Sequence, residues 1–514
     1  MIATAANGTM RLSEVLHGLY PLQSRCDREL NGIALDSRRV KRGTLFMACK
    51  GQSHDGRDHI DAAIAAGAAA VLVEADEVDW CCEHERNGVP VLPLLNLHEQ
   101  MAELAARFYG KPGKQMRMVG VTGTNGKTST SQLLAQGFSA LGYRCGVIGT
   151  LGHGMAGDEL QQEDSGPGTT PDAVVLQQIF TGLRAQQADT LVMEVTSHAL
   201  DQSRVLVDDF AIAVFTNLTR DHLDYHHTIE AYGDAKRLLF RGQGLQLAVL
   251  NADDDYAAAT AGVLQGHVRC FTFGMRNAGA DIFAERVRFT AAGVEMKVRT
   301  PWGEFEFTSA LLGSFNASNL LAVLTTLLAA QSLDEHFDAA AIVRVVAQLP
   351  PVVGRMQLVA GHDVIAVIDY AHTPDALEKA LLAVREHCSG KLWCVFGCGG
   401  NRDRGKRPRM AAIAEQGADS LVLTSDNPRN EDPLQILAEM QAGLLNPAAA
   451  LVQAGRAKAI AAALTQAAAG DVVLIAGKGH ESYQEIEGQK LPFSDVDCAQ
   501  QVLSARFGNS GVRP

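Results

Sequence analysis

The sequence predicts an α/β fold built in three domains, and three observations carry that expectation. A chain of 514 residues has room for roughly three domains at about 150 residues each. Short continuous apolar runs alternate with stretches rich in Ala and Leu, the pattern of parallel strands covered on both faces by helices. Two segments, Gly110-Lys111-Pro112-Gly113-Lys114 and Leu349-Pro350-Pro351-Val352-Val353-Gly354, gather the residues that interrupt regular structure. Breaks near 112 and 350 give pieces 1–112, 113–349 and 350–514, each an acceptable domain size.

The apolar runs are Met116–Thr122, Thr190–Val195, Phe210–Phe215, Leu247–Leu250, Val364–Ile368, Leu392–Phe396, Ser420–Leu423 and Val472–Ile475. Good helix formers fill Asp61–Ala70 and Ala457–Ala468. In sheets of this kind ligands bind beyond the carboxyl ends of the strands, so the informative residues should follow the runs.

Composition narrows the function classes. Apolar residues make up 47% and charged residues 20%, enough to bury several cores and far from the balance of a disordered chain. The formal charge of −13 argues against general affinity for nucleic acid or anionic lipid, both of which need excess Lys and Arg. No run of about 18 apolar residues is present, and the first twenty or so residues lack the charged-then-apolar order of a signal peptide. A cytoplasmic protein with no membrane insertion is expected. The ten cysteines form no Cys-x-x-Cys pair and read as reduced, mostly buried thiols.

After the run Met116–Thr122 stands Gly123-Thr124-Asn125-Gly126-Lys127-Thr128-Ser129, followed by a predicted amphipathic helix over Ser131–Leu141. Glycines let successive backbone N–H groups curl around one phosphate, and the helix N-terminus adds its positive end. Lys127 supplies a mobile cation and Thr128 a hydroxyl for Mg²⁺. Val121 occupies the place of the first glycine in the general G-x-x-x-x-G-K-[ST] pattern, so this loop is a tighter variant. ATP or GTP binding is expected, and with it a P-loop-type, mostly parallel central sheet and a Rossmann-like C-terminal domain.

Two further strand ends carry Glu194 in Met193-Glu194-Val195-Thr196-Ser197-His198, and His222 in Thr219-Arg220-Asp221-His222-Leu223-Asp224. Carboxylate and imidazole on neighbouring strands suit the Mg²⁺ that accompanies ATP. A rival reading makes Asp221, His222, Asp224, His226 and His227 a zinc cluster. No H-E-x-x-H accompanies it, and His222 and His226 at that spacing read as a solvated helix face. Taken alone, Lys236 in Tyr232-Gly233-Asp234-Ala235-Lys236-Arg237 reads as a surface lysine.

Together the segments GVTGTNGKTST, EVTSHALDQSRV, TNLTRDHLDYH, YGDAKRLLF, LLGSFNASNLLA, VVGRMQ, DYAHTPDALEKAL, FGCGGNRDRGKRPRM, SDNPRNEDP and AGKGHESYQ resemble the Mur ligases of peptidoglycan synthesis, three-domain enzymes that form amides at the expense of ATP. LDSRRVKRGTLFMACKGQSHDGRDHI at 35–60 resembles their first-domain substrate segment. The resemblance implies that Leu35, Ser37 and Gln52, Ser53 and His54 hold the uridine nucleotide end of UDP-MurNAc-L-Ala-D-Glu. Thr169, Thr170, Thr196, Gln202 and Arg204 would hold its muramoyl-dipeptide. Asn316 and Asn319 resemble adenine-side residues, while Arg355 and Asp369 resemble phosphate and ribose contacts. It also implies that Glu194, His222 and Lys236, the last as a carbamate, hold Mg²⁺ with Thr128. An ammonium cannot ligate the metal, whereas its CO₂ adduct is an anionic oxygen ligand.

Among Mur ligases the resemblance points to those that add meso-diaminopimelate. That amino acid exceeds lysine by one carboxylate, and the guanidinium of Arg429 in Asp426-Asn427-Pro428-Arg429 suits a carboxylate with two parallel hydrogen bonds. Arg402, Gly477 and Glu481 resemble the remaining contacts, Glu481 being suited to the distal ammonium. The implied chemistry is phosphorylation of a γ-carboxylate followed by attack of an amine on the acyl phosphate, by a monomer whose third domain closes over the nucleotide. A lysine-adding ligase would lack Arg429, and a folylpolyglutamate synthase would leave the first 110 or so residues unexplained. A nucleotide-sensing regulator would have no reason to keep Glu194, His222 and Lys236 together.

Overall fold

A computed structural model describes residues 9–51, 55–75, 83–162, 169–290, 292–332, 337–361 and 363–507. The protein divides into two compact units, Met1–Phe273 with Thr325–Phe337 and Gly274–Leu324 with Asp338–Pro514. All eight apolar runs are strands, and the sheets are mostly parallel with helices between the strands.

The first unit opens with a five-stranded sheet, ordered Gly32–Ala34, Thr44–Ala48, Ala68–Glu74, Val89–Leu94, His84–Arg86, with only the last pair antiparallel. Side chains alternate across a strand, so Leu45, Met47 and Leu72 enter one core while Phe46, Val71 and Val73 enter another. Burial on both faces is the arrangement of parallel strands that lie between two cores. The helix expected over Asp61–Ala70 is shorter, Ile60–Ala65. Gly67 turns the chain at φ 103°, and Ala68–Ala70 belongs to the strand that follows. The alanines suit a helix, but pairing with Thr44–Ala48 decides their conformation.

The unit's second sheet runs Gly152–Met155, Cys145–Gly149, Thr190–Glu194, Arg117–Thr122, Phe210–Phe215, Leu247–Asn251, Arg269–Gly274, parallel throughout except for its first pair. Strand Arg117–Thr122 lies between Thr190–Glu194 and Phe210–Phe215. The three strand ends carrying the expected phosphate loop, Glu194 and the Thr216–Asp224 segment are therefore adjacent. The helix after the loop is Lys127–Ala140, and Ser129 through Ala135 are buried along it. It is a core helix that starts at Lys127, rather than an amphipathic one that starts at Ser131.

The second unit holds an antiparallel meander, Ile282–Thr290, Gly293–Thr300 and Gly303–Ser309, and a six-stranded sheet. The order of the latter is Gln357–Ala360, Ile365–Asp369, Val472–Ala476, Leu392–Phe396, Ser420–Leu423, Leu451–Val452. Its first pair is antiparallel and the rest parallel. Cys394, Phe396 and Leu474 pack on one face, Val395, Val473 and Ile475 on the other. Among the described residues no helix is long and apolar enough to cross a membrane. Of the described cysteines, Cys26, Cys145, Cys394 and Cys398 are buried, and burial pushes the last three thiols up to about 12.

Two strand ends of this sheet are tied by one buried ion pair. The Arg456 and Asp495 side chains are 0% exposed and meet at 2.6 Å. Arg456 also donates to Ser425 O and Ala476 O, at 3.3 and 3.0 Å. Removing one member of a buried pair typically costs about 3–5 kcal/mol, because the other charge is left without compensation. Asp495→Asn should lower the urea stability of this unit by about that much, and Arg456→Met/Asp495→Leu by markedly less.

Candidate active site

Strand Arg117–Thr122 delivers the chain into a loop that only glycine can form. Gly123 has φ 148° and Gly126 φ 83°, and a Cβ on Gly123 would collide with Thr216 Oγ1. The neighbouring strand end braces the loop. Thr124 N donates to Asn217 O at 2.8 Å, Asn125 N donates to Asn217 Oδ1 at 2.9 Å, and Thr216 Oγ1 donates to Asn125 O at 2.7 Å.

Two lysines converge there. Lys127 Nζ donates to Gly123 O and Thr124 O, both at 2.8 Å, and Lys236 Nζ donates to the same Gly123 O at 2.8 Å. Lys236 is 2% exposed, with its ammonium 4.2 Å from the centre of the Tyr232 ring. Burial, and then the charge of Lys127, pull its pKa well below the ordinary lysine value. The surface lysine expected from the sequence is thus a buried one.

Glu194 is buried at the next strand end. Its Oε1 accepts from Thr150 N at 2.7 Å, and its Oε2 accepts from Thr128 Oγ1 at 3.0 Å and Thr150 Oγ1 at 3.3 Å. Thr169 Oγ1 lies 3.2 Å from Thr150 Oγ1. This set of hard oxygen donors beside the loop fits Mg²⁺. His222, at φ 52°, is half-exposed, and its ring packs against His198, at 4.9 Å between centres, and Tyr232, at 5.9 Å. Among the described residues no three His, Cys, Asp or Glu side chains gather as a metal-binding group. His226 is not solvated: it is 7% exposed and bonded to Ser197 Oγ at 3.0 Å. Burial, with His222 and His226 nearby, holds His198 down to about 4.

Beside these strands the first unit contains a cleft of about 1110 Å³, lined by Leu35, Ser37, Gln202 and Arg204 together with Asp201 and Tyr225. A polar chain runs along one wall. Tyr225 OH donates to Asp201 Oδ2 at 2.7 Å and accepts from Gln202 Nε2 at 3.0 Å. Arg204 donates to Gln202 Oε1 at 2.9 Å and to Thr170 O at 3.0 Å. Thr170 Oγ1 donates to Glu194 O at 2.9 Å, and Thr196 caps the short helix Ser197–Asp201 through Ala199 N. Gln52, Ser53 and His54 lie outside the described residues.

In the second unit Asn316 and Asn319 are buried and bonded to each other at 3.1 Å. Asp369 accepts from Met356 N and Ala371 N, at 2.9 and 2.8 Å. Burial raises its pKa against the pull of Arg355. The Arg355 guanidinium stacks 4.6 Å from the Tyr370 ring centre, and its buried Nε has no partner among the described residues, an arrangement suited to an anion.

The same sheet carries a second polar group. Asp426, Asn427 and Pro428 are buried, and Arg429 follows at φ 51°. Arg429 Nη1 donates to Gly400 O at 2.8 Å, and Nε faces Glu485 Oε2 at 3.0 Å. These contacts occupy part of the fork. Arg402 is exposed beside the same Gly399 that Arg429 approaches. Gly477 stands at φ 113° with its Cα side facing Asp426, whose Oδ2 would lie 3.1 Å from a Cβ. Asn427 Nδ2 donates to Glu481 Oε2 at 2.8 Å.

The Mur ligase middle-domain model matches residues 121–327, the Mur ligase glutamate ligase domain 354–479, and the Mur ligase family catalytic domain 29–109. A UDP-N-acetylmuramoyl-L-alanyl-D-glutamate–2,6-diaminopimelate ligase of Coxiella burnetii is 47% identical over 92% of this chain and 96% of its own length. The chain belongs to the Mur ligase family. Its likeness to the ligase of the same name from Pseudomonas putida is 46% over 97% of this chain and 98% of that one. A solved diaminopimelate ligase matches with a TM-score of 0.71 and 36% identity over 97% of this chain and 99% of that one. A Mycobacterium tuberculosis folylpolyglutamate synthase, 17% identical with a TM-score of 0.59 over 80% of this chain and 95% of that one, shares the fold.

In this Mur ligase the residues that sequence reasoning missed are those whose partners are distant in sequence. Tyr225 and Asp201 line the cleft, and both stand in quoted segments whose other members drew attention. Lys478, 0% exposed, bonds Asn427 Oδ1 at 3.0 Å and Glu481 Oε2 at 2.8 Å, and only the run AGKGHESYQ hinted at it.

Lys236 makes stability depend on pH. Between its depressed folded pKa and the ordinary value near 10.5, the unfolded chain binds a proton that the folded chain does not. Stability from this group therefore rises with pH across that window, by up to about 1.4 kcal/mol per unit. Lys236→Met should be more resistant to urea than the parent near neutral pH, with the difference shrinking as pH approaches about 10.

Proposed function

We propose that this Mur ligase joins meso-diaminopimelate to the D-glutamyl γ-carboxylate of UDP-MurNAc-L-Ala-D-Glu, using ATP and passing through an acyl phosphate, as a cytoplasmic monomer in peptidoglycan precursor synthesis. The observation that carries the reading is near-full-length likeness, at 46–50% identity, to relatives named for that reaction. Arg429 beside Asn427 in this chain supports it.

In the first unit, the glycine-formed loop presents N–H groups to the β- and γ-phosphates, and Lys127 neutralises charge that spreads over the transferring phosphoryl group. Thr128 and Glu194, with His222, would hold Mg²⁺, which when bound supplies further charge neutralisation and alignment. The depressed pKa of Lys236 favours a neutral amine, the form that adds CO₂, and the carbamate would give the metal an anionic oxygen. Leu35, Ser37, Gln52, Ser53 and His54 receive the uridine nucleotide. Thr169, Thr170, Thr196, Gln202 and Arg204 hold the muramoyl-dipeptide so that its γ-carboxylate meets the phosphate.

In the second unit Asn316, Asn319, Arg355 and Asp369 contact the nucleotide. Arg429 and Arg402 bind the carboxylates of diaminopimelate, with Asp426, Asn427, Pro428, Gly477 and Glu481 around its ammonium. No protein nucleophile is needed, because ATP activates the carboxylate and the substrate amine attacks it. Catalysis is alignment and electrostatics.

Phosphate release from ATP, with UDP-MurNAc-L-Ala-D-Glu and either meso-diaminopimelate or L-lysine, tests the reading. Turnover with diaminopimelate is expected; turnover with lysine alone would overturn the assignment of Arg429. Arg429→Ala should raise the KM for diaminopimelate by about tenfold or more, the cost of a lost charge-assisted hydrogen bond. Lys236→Ala should lose activity and recover part of it with added short carboxylates, and full activity without them would exclude the carbamate.

A further inference from the structure

The amino-acid group of the second unit contains a lysine with no assigned role. Lys478 is 0% exposed, whereas the Glu481 side chain beside it is 21% exposed. An ammonium has three donors, and three oxygens surround this one: Glu481 Oε2 at 2.8 Å, Asn427 Oδ1 at 3.0 Å and Asp426 Oδ1 at 3.7 Å. Asn427 Nδ2 donates to the same Glu481 Oε2 at 2.8 Å, and Glu485 N donates to Asn427 Oδ1 at 2.9 Å. Oε2 therefore takes two donors, while Oε1 takes none among the described residues.

The charges are also unequal. Asp426 and Glu481 bring two negative charges and Lys478 one positive, and the nearby Arg456 is already matched by Asp495. Within these contacts the carboxylates outnumber the ammonium. Burial would raise the pKa of Glu481, but the hydrogen bond and charge of Lys478, with the amide of Asn427, hold it below the usual carboxylate range. Glu481 thus stays an anion while half of its carboxylate remains open to an acceptor role.

We propose that Lys478 is the positioning residue of the amino-acid pocket: by taking Oε2 of Glu481 it leaves Oε1 as the acceptor for the ammonium of the incoming amino acid. This rests on the ligase reading above, and deepens it. Lys478 touches no reacting atom. It fixes the direction of the carboxylate, so that Oε1 faces an ammonium while Oε2 is held by Lys478 and Asn427.

Steady-state kinetics of the full chain test it. Lys478→Met should raise the KM for meso-diaminopimelate by about ten- to a hundredfold, as expected for loss of a hydrogen bond to a charged group. Its KM values for ATP and the UDP-substrate should stay within about twofold and its kcat within about threefold. Glu481→Gln should show the same split, and the double variant should be little worse than either single one, because the two act as a unit. Lys478→Gln, which keeps N–H donors, should recover part of the loss and serves for the test if Lys478→Met does not fold. An unchanged KM for diaminopimelate in Lys478→Met overturns the proposal. So does an equal loss toward all three substrates with a lowered Tm, the mark of a purely structural role, and so do losses that simply add in the double variant. Failure of the underlying reading looks different: the parent enzyme itself would release no phosphate with diaminopimelate.

Discussion

One carbonyl oxygen, that of Gly123, receives two ammonium groups at 2.8 Å each. Like charges so close to one acceptor repel, and the arrangement holds only because the surrounding structure dictates it. The positive φ of Gly123 turns its carbonyl out of the strand, and Thr216 and Asn217 lock the turn from the adjacent strand. Lys127 is the first residue of the helix that the loop starts, and Lys236 reaches in from the helix Ile229–Arg237. The repulsion is relieved by displacing the equilibrium of Lys236 toward its neutral form, and an anion arriving at the loop relieves it further. Strand order matters here, because any order that separated Arg117–Thr122 from Phe210–Phe215 would remove the brace.

The same logic of adjacent strand ends recurs in the second unit with a different device. There the ends of Ser420–Leu423 and Val472–Ala476 lie on either side of Leu392–Phe396, so no direct strand pairing joins them. Arg456 spans the gap with hydrogen bonds to Ser425 O and Ala476 O. Lys478 repeats the connection one layer further out, through Asn427 and Glu481. Two buried cations thus fix the separation of the two segments that carry the amino-acid residues.

What could be read from the sequence was whatever depends on local pattern. Parallel strands buried on both faces announce themselves as apolar runs, and the phosphate loop announces itself through glycines at positions of positive φ. Lys236 was misread because its burial depends on Gly123, 113 residues away, and an isolated lysine on a helix carries no mark of what covers it. His226 was misread for the same reason: its Ser197 partner lies on another element. Ala68–Ala70 failed differently, since residues that favour a helix were recruited into a strand by the edge that Thr44–Ala48 offered. Arg429 was identified by its segment, yet its partial engagement depends on Gly400 O, 29 residues upstream, and on Glu485, far downstream.

The buried cations, finally, sort themselves by what balances them. Arg407 is paired with Glu431 and Glu439, Arg456 with Asp495, and Lys478 with Glu481. Lys236, equally enclosed, meets a carbonyl and an aromatic face and makes no ion pair among the described residues. A buried charge without a counter-charge is costly enough that the group ordinarily surrenders its proton. A position that keeps such a lysine spends stability on it, and the compensation has to come from chemistry rather than from folding. In a chain with a net charge of −13 a carboxylate partner would have been easy to supply. Among the described residues no carboxylate makes an ion pair with Lys236, which stands beside a loop shaped for phosphate.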